Sequence, residues 1–136
     1  MILIKAKQYD EILKHCQEVF PNEACGLLSG RIEGFIKTVE KIYLLENIDN
    51  SPEHFSMNPK EQFRAIKDMR NNNFVMLGNF HSHPESPSRP SEEDKRLAYD
   101  KKMSYFILSL IEKSKPVLKS FIIIDNLVME EEIKTI

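Results

Sequence analysis

Gly78-Asn79-Phe80-His81-Ser82-His83-Pro84-Glu85-Ser86-Pro87-Ser88-Arg89-Pro90-Ser91-Glu92-Glu93-Asp94 is the stretch that organises this chain. It begins at the end of an apolar run, Val75 to Phe80, which reads as a buried strand. Side chains at i and i+2 of a strand leave on the same face, so His81 and His83 can address one ion while Ser82 points away. Pro84 has no N–H for a ladder and ends the strand. A proline-rich loop follows, and Ser91 and Asp94 then stand three apart in the pattern of a helix-starting capping box. Two imidazoles and one carboxylate are the ligand set of a catalytic zinc with its fourth position left for water. Such an ion brings the pKa of water to about 7. The same two-histidine, one-carboxylate set also serves non-haem iron oxygenases, though these draw their second histidine from far along the chain.

Working outward, the strand is flanked by further strands and helices. Met1 to Ile4 is a short apolar strand. Gln8 to Phe20 carries Ile12, Leu13, Cys16, Val19 and Phe20 on one helical stripe and is stopped by Pro21-Asn22. His15 falls beside that stripe and reads as a helix-surface residue. Glu23 to Gly30 and Gly34 to Glu46 read as strands, and Asn47 to Asn58 as a polar, turn-rich segment holding His54. Asn58-Pro59 is an N-cap followed by proline at the first helical position, with Phe63, Ile66 and Met69 as the apolar face of that helix. A helix is expected from Ser91 to about Lys101. Ser104 to Leu110 and Val117 to Ile124 read as two strands, and Leu127 to Ile133 as a last one after the turn Asp125-Asn126. Strands and helices mix without strict alternation, which predicts an α/β or α+β sheet domain with flanking helices.

Composition narrows the function. A chain of 136 residues makes one domain, residues 1–136, and is too short for a (β/α)₈ barrel, which needs roughly 200 residues. A net charge of −2 with no basic block gives no reason to expect nucleic acid or an anionic membrane. Cys16 and Cys25 are too few for a disulfide framework and lack Cys-x-x-Cys spacing, so they read as reduced thiols of a cytoplasmic protein. No leader pattern opens the chain, and no apolar run approaches the roughly 20 residues of a spanning helix.

Glu23, then His81-Ser82-His83-Pro84, then Pro90-Ser91-x-x-Asp94 resembles the JAMM (MPN+) metalloprotease signature. Pro21 to Leu28, Asn58 to Gln62 and Pro90 to Asp100 extend the resemblance to the short prokaryotic branch, over nearly the whole chain. The resemblance implies an MPN-type domain with a curved mixed β-sheet. It makes His81, His83 and Asp94 ligands of Zn2+. It makes Glu23 the general base that moves a proton from the attacking water to the leaving amine, and Ser91 the stabiliser of the oxyanion. Without it, Glu23 reads as a solvated acid at a strand end. Cys25, two residues on, reads as a buried structural thiol rather than a fourth ligand. Enzymes of this branch cut peptide or isopeptide bonds at the Gly-Gly tail of ubiquitin-like or sulfur-carrier proteins, in sulfur transfer or cysteine and cofactor biosynthesis, and are often homodimers. The alternative is a non-catalytic MPN-type scaffold that only binds a ubiquitin-like partner.

Overall fold

The computed structural model describes all of residues 1–136. Its elements are β1 (Ile2–Ile4), α1 (Ala6–Val19), β2 (Cys25–Glu33), β3 (Ile36–Leu45), α2 (Pro59–Asn71), β4 (Val75–His83), α3 (Glu92–Arg96), β5 (Ser104–Ser109), β6 (Val117–Ile124), β7 (Leu127–Glu131) and β8 (Ile133–Thr135). All eight strands join one mixed sheet in the order β7-β6-β5-β4-β2-β3-β1-β8. Neighbours β2–β3, β2–β4, β5–β6 and β6–β7 are antiparallel, whereas β4–β5, β1–β3 and β1–β8 are parallel. The fold is α+β, with few helices on a curved sheet.

The curvature follows from connectivity. β7 and β8 lie at opposite ends of the strand order, yet only Glu132 separates them. The sheet therefore rolls until its edges meet, and Ile2 N–H donates to the carbonyl of Glu132 itself at 2.8 Å. Turn chemistry helps: Asp125 and Asn126 both take positive φ between β6 and β7, the backbone that a tight two-residue hairpin requires.

The inner face carries the main core. Ile2, Ile4, Leu28, Val39, Leu77, Phe80, Phe106 and Leu108 pack there with Ile12 and Cys16 of α1. Gln8 is buried on the same helix, and it is satisfied by donating to Val39 O at 3.1 Å while accepting from Lys5 N. The outer face of β2 and β3 is covered by α2 through Cys25, Leu27, Leu45, Ala65 and Met69. Gly78 permits the close β4–β5 approach, since a Cβ there would strike the carbonyl of Ser104. No helix is long and apolar enough to cross a membrane.

Four sequence expectations change. The helix expected from Ser91 to Lys101 stops at Arg96, because the chain must turn into β5 to pair in parallel with β4. Of the expected face of α2, Met69 is buried and Ile66 half-buried, but Phe63 is 70% exposed, and the small Ala65 is buried in addition, which lets the helix approach the sheet. The last strand divides at Glu132 to serve both sheet edges. His15 is half-buried rather than superficial: its Nε2 lies 3.2 Å from the carbonyls of both Cys25 and Leu45, and its ring meets Phe80 edge-on.

Candidate metal centre

β4 sits mid-sheet between β2 and β5, and its last turn of sequence carries the two histidines. His81 and His83 share the outer face and are 3% and 4% exposed. Ser82 points to the other side, where its Oγ accepts from Ala24 N–H at 2.8 Å, while Ser82 N–H donates to Ala24 O. The following loop is tied to β5 by Ser88 Oγ donating to Ile107 O and Ser109 Oγ donating to Ser86 O. That anchorage places the Pro87 carbonyl 2.9 Å from His83 Nδ1. Nδ1 therefore donates a ring proton to that carbonyl, which leaves Nε2 as the atom turned to the site.

Asp94 arrives from α3 through a reciprocal capping box. Ser91 Oγ accepts from Asp94 N–H at 3.0 Å, and Asp94 Oδ2 accepts from Ser91 N–H at 2.9 Å. The same Oδ2 lies 3.2 Å from His81 Nε2 and 3.1 Å from His83 Nε2, and the two nitrogens are 3.1 Å apart. Three candidate ligand atoms thus form a nearly equilateral triangle. A tetrahedral zinc with bonds of ~2.0–2.1 Å holds its ligand atoms roughly 3.3 Å apart, so the triangle fits such an ion. Burial alone would raise the Asp94 carboxyl, but hydrogen bonds from both imidazoles hold it well below the usual carboxylate range. Burial likewise opposes charge on His83, and its bonds to Asp94 and Pro87 O turn the balance upward.

Glu23 precedes β2 and is only 5% exposed. Its backbone is fixed on both sides: its N–H donates to Ser51 O at 2.8 Å, and its carbonyl accepts from Asn47 Nδ2 at 3.0 Å. Burial pushes its carboxyl up to about 8 against the pull of His83, and the charges of Asp94, Glu93 and Glu53 push the same way as burial. A carboxyl poised near neutrality beside a cation site suits proton transfer. Ser91 is exposed, and its oxygen is committed to Asp94 N–H as an acceptor. Its hydroxyl proton is left free to donate. The Cys25 thiol donates weakly to Leu45 O at 3.8 Å and is pushed up to about 12 by burial, so it remains a protonated core thiol.

Several contributors escaped the sequence. Asn47 is buried and makes four bonds at the root of the 47–58 segment, to Glu23 O, His54 O, Asp49 N and Ser56 N. That segment carries Phe55 onto His81 in a stacked contact with centroids 4.7 Å apart. His54 in turn reaches Glu93 of α3 at 3.0 Å, an exposed pair that bridges the segment to the helix bearing Asp94. Beside the triangle, a small cavity opens between Asn79, Phe55 and the strands β5 and β6. A lone buried Asn and an aromatic in a polar loop were the available signals, and neither has a pattern of its own.

Residues 5–123 match the family model described as prokaryotic homologs of the JAB domain. The chain is 27% identical over 136 residues to a CysO-cysteine peptidase of Mycobacterium tuberculosis, covering 100% of this chain and 92% of that protein. It is 36% identical over 72 residues to a desampylase of Pyrococcus furiosus, covering 53% of this chain and 49% of that protein. A protein from Desulfitobacterium hafniense, known from a solution structure, is 58% identical with a TM-score of 0.91, covering 99% of this chain and 92% of that one. A JAB1/MPN domain protein from Archaeoglobus fulgidus shares the fold, with a TM-score of 0.63 at 20% identity over 99% and 95% of the two chains.

Proposed function

This chain belongs to the family of prokaryotic JAB-domain homologues, and on that premise we propose that it is a zinc peptidase. Its substrate on this reading is a ubiquitin-like or sulfur-carrier protein, cut at the peptide or isopeptide bond that follows a Gly-Gly tail. One observation carries the proposal: three ligand atoms 3.1–3.2 Å apart beside a buried carboxyl raised towards neutrality. The relatives named as a CysO-cysteine peptidase and a desampylase support the substrate class.

His81, His83 and Asp94 would hold the ion. Zinc bound there supplies a Lewis acid and makes hydroxide accessible at neutral pH. Glu23 accepts a proton from the attacking water and returns it to the departing amine, a task matched to a carboxyl titrating near working pH. The free hydroxyl proton of Ser91 donates to the oxyanion that forms on the scissile carbonyl, a contact typically worth ~2.7–4 kcal/mol. Phe55 excludes water from one side of His81. We place the protein in the cytoplasm, where the buried free Cys16 and Cys25 stay reduced.

The test is cleavage of a Gly-Gly carrier–cysteine adduct by protein loaded with one zinc per chain, with His81→Ala as control. Release of cysteine by the loaded protein and none by the control is expected. Tight binding of the carrier without cleavage, at full zinc occupancy, would establish a non-catalytic scaffold instead.

A further inference from the structure

The solvent face of α2 carries one sign of charge. Lys60, Phe63, Arg64, Lys67 and Arg70 are all exposed, Phe63 at 70%. At about 100° per residue they fall within one arc of roughly 120° on the helix, and no acid falls among them. The two acids of the helix are turned to the sheet edge instead. Glu61 accepts from Glu46 N–H, and Asp68 accepts from Lys41 and Tyr43. None of the four cations makes an ion pair within the chain.

A helix that only meets water interleaves opposite charges three and four residues apart. Here those spacings hold like charges, Lys60 with Arg64, Arg64 with Lys67 and Lys67 with Arg70, and their repulsion weakens the helix. The chain as a whole carries −2, so the patch does not follow from composition. Four unpaired cations around an exposed aromatic complement an acidic surface with an apolar centre.

The patch stands close to the metal triangle. α2 packs on the outer face of the sheet, the side to which His81 and His83 point. Asn58, its N-cap, donates from Nδ2 to Glu46, and Phe55 of the same segment stacks on His81. Lys60 follows Phe55 by five residues, at most ~18 Å of extended chain. An extended tail of about that length reaches the ligand atoms from a folded body seated on α2.

We propose that the exposed face of α2 docks the folded body of the carrier, through an acidic patch with an apolar centre at the root of its tail. The identity of the partner rests on the peptidase reading above. Nucleic acid suits the surface less well. The patch is one convex helix face with no groove, and the carboxylates of Glu46 and Asp49 flank its N-terminal end, where a longer polyanion would pass.

Two substrates sharing one Gly-Gly–cysteine bond test this with the zinc-loaded protein: an acidic ubiquitin-like carrier from the same organism, and a short peptide copy of its tail. The double variant Lys60→Glu, Lys67→Glu reverses two charges at solvent positions, where stability should move little. With the carrier, its KM should rise about tenfold with kcat retained, and the salt dependence of the wild-type KM should flatten. Phe63→Ala should raise the carrier KM about fivefold. All three proteins should cut the peptide equally. Titration calorimetry of the uncut carrier against each protein reads the same surface without turnover. Unchanged carrier affinity in the double variant refutes the docking surface and leaves the peptidase reading standing. An equal loss on peptide and carrier also refutes it, since that is how a fold defect behaves. Binding of DNA by the wild type in place of the carrier refutes it as well. If neither substrate is cut, yet carrier affinity falls tenfold in the double variant, the peptidase reading fails and the docking surface stands. If the protein neither cuts nor binds the carrier, both fall.

Discussion

Replacing Glu23 by glutamine separates what this residue does for chemistry from what it costs the fold. The folded carboxyl titrates at about 8 against an ordinary 4.5. The folded chain therefore keeps a proton that the unfolded chain gives up once pH passes 4.5. Stability from this group is complete below that value, declines through the neutral range, and is gone above about 8. At roughly 1.4 kcal/mol per pH unit, the interval up to pH 7 sets a ceiling of ~3 kcal/mol. Water at the open side of the site reduces this to about 1–2 kcal/mol. Glutamine has nearly the same shape and never ionises. Metal-free Glu23→Gln should thus be more stable than metal-free wild type at neutral pH by that amount, a Tm gain of roughly 3–8 °C. The two should converge near pH 4.5. Calorimetry in the presence of a chelator at several pH values checks the prediction, alongside turnover of the zinc-loaded variant, which should fall by ~10²–10⁴. Parallel pH profiles for the two proteins would show that Glu23 does not carry the raised pKa. Full turnover at full zinc occupancy would remove it from the mechanism.

Ser91→Ala should lower kcat by ~10²–10³ through loss of an oxyanion donor, while the missing cap costs only about 1 kcal/mol of stability. An unchanged kcat would reduce this serine to a helix cap. Ser82→Ala strands the buried N–H of Ala24, so urea unfolding should show a loss of ~1–3 kcal/mol. Turnover should drop as well, because that bond holds the strand next to Glu23 against β4. Gly78→Ala forces a methyl against the Ser104 carbonyl; a destabilisation of at least ~1–3 kcal/mol is expected by the same measurement, and a neutral result would mean β4 and β5 can separate freely.

The His81, His83 and Asp94 triangle was legible because its geometry is local. Strand alternation puts His81 and His83 on one face, and the capping spacing turns Asp94 towards them. Glu23 was legible only through resemblance, since nothing in its neighbours says that Asn47 and Ser51 will fold over it and bury it. Periodicity located α2 and its buried Met69, but it misplaced Phe63 and missed Ala65. Phe63, Ile66 and Met69 are spaced for one stripe, whereas packing on a sheet favours the small Ala65, a preference that hydrophobicity alone does not encode. The short α3 shows the reverse limit. Its capping box is strong, but no residue of the helix is buried, so no packing sustains it beyond Arg96. Phe55 meets His81 only because the loop that carries it is placed across the molecule, which its neighbours in sequence do not show.

The meeting of the two sheet ends at Glu132 also bears on how the protein behaves at high concentration. Exposed strand edges are templates for pairing with other molecules, and an open eight-stranded sheet would offer two of them. Here the terminal strands β7 and β8 are five and three residues long and run into one another. Glu130, Glu131, Glu132 and Lys134 stud that single joint. Any intermolecular ladder would have to start on a short, charged segment and could not propagate past the stitch. Crowded solutions of this protein should therefore resist edge-to-edge aggregation, although Leu127, Val128 and Met129 face solvent on the same strand.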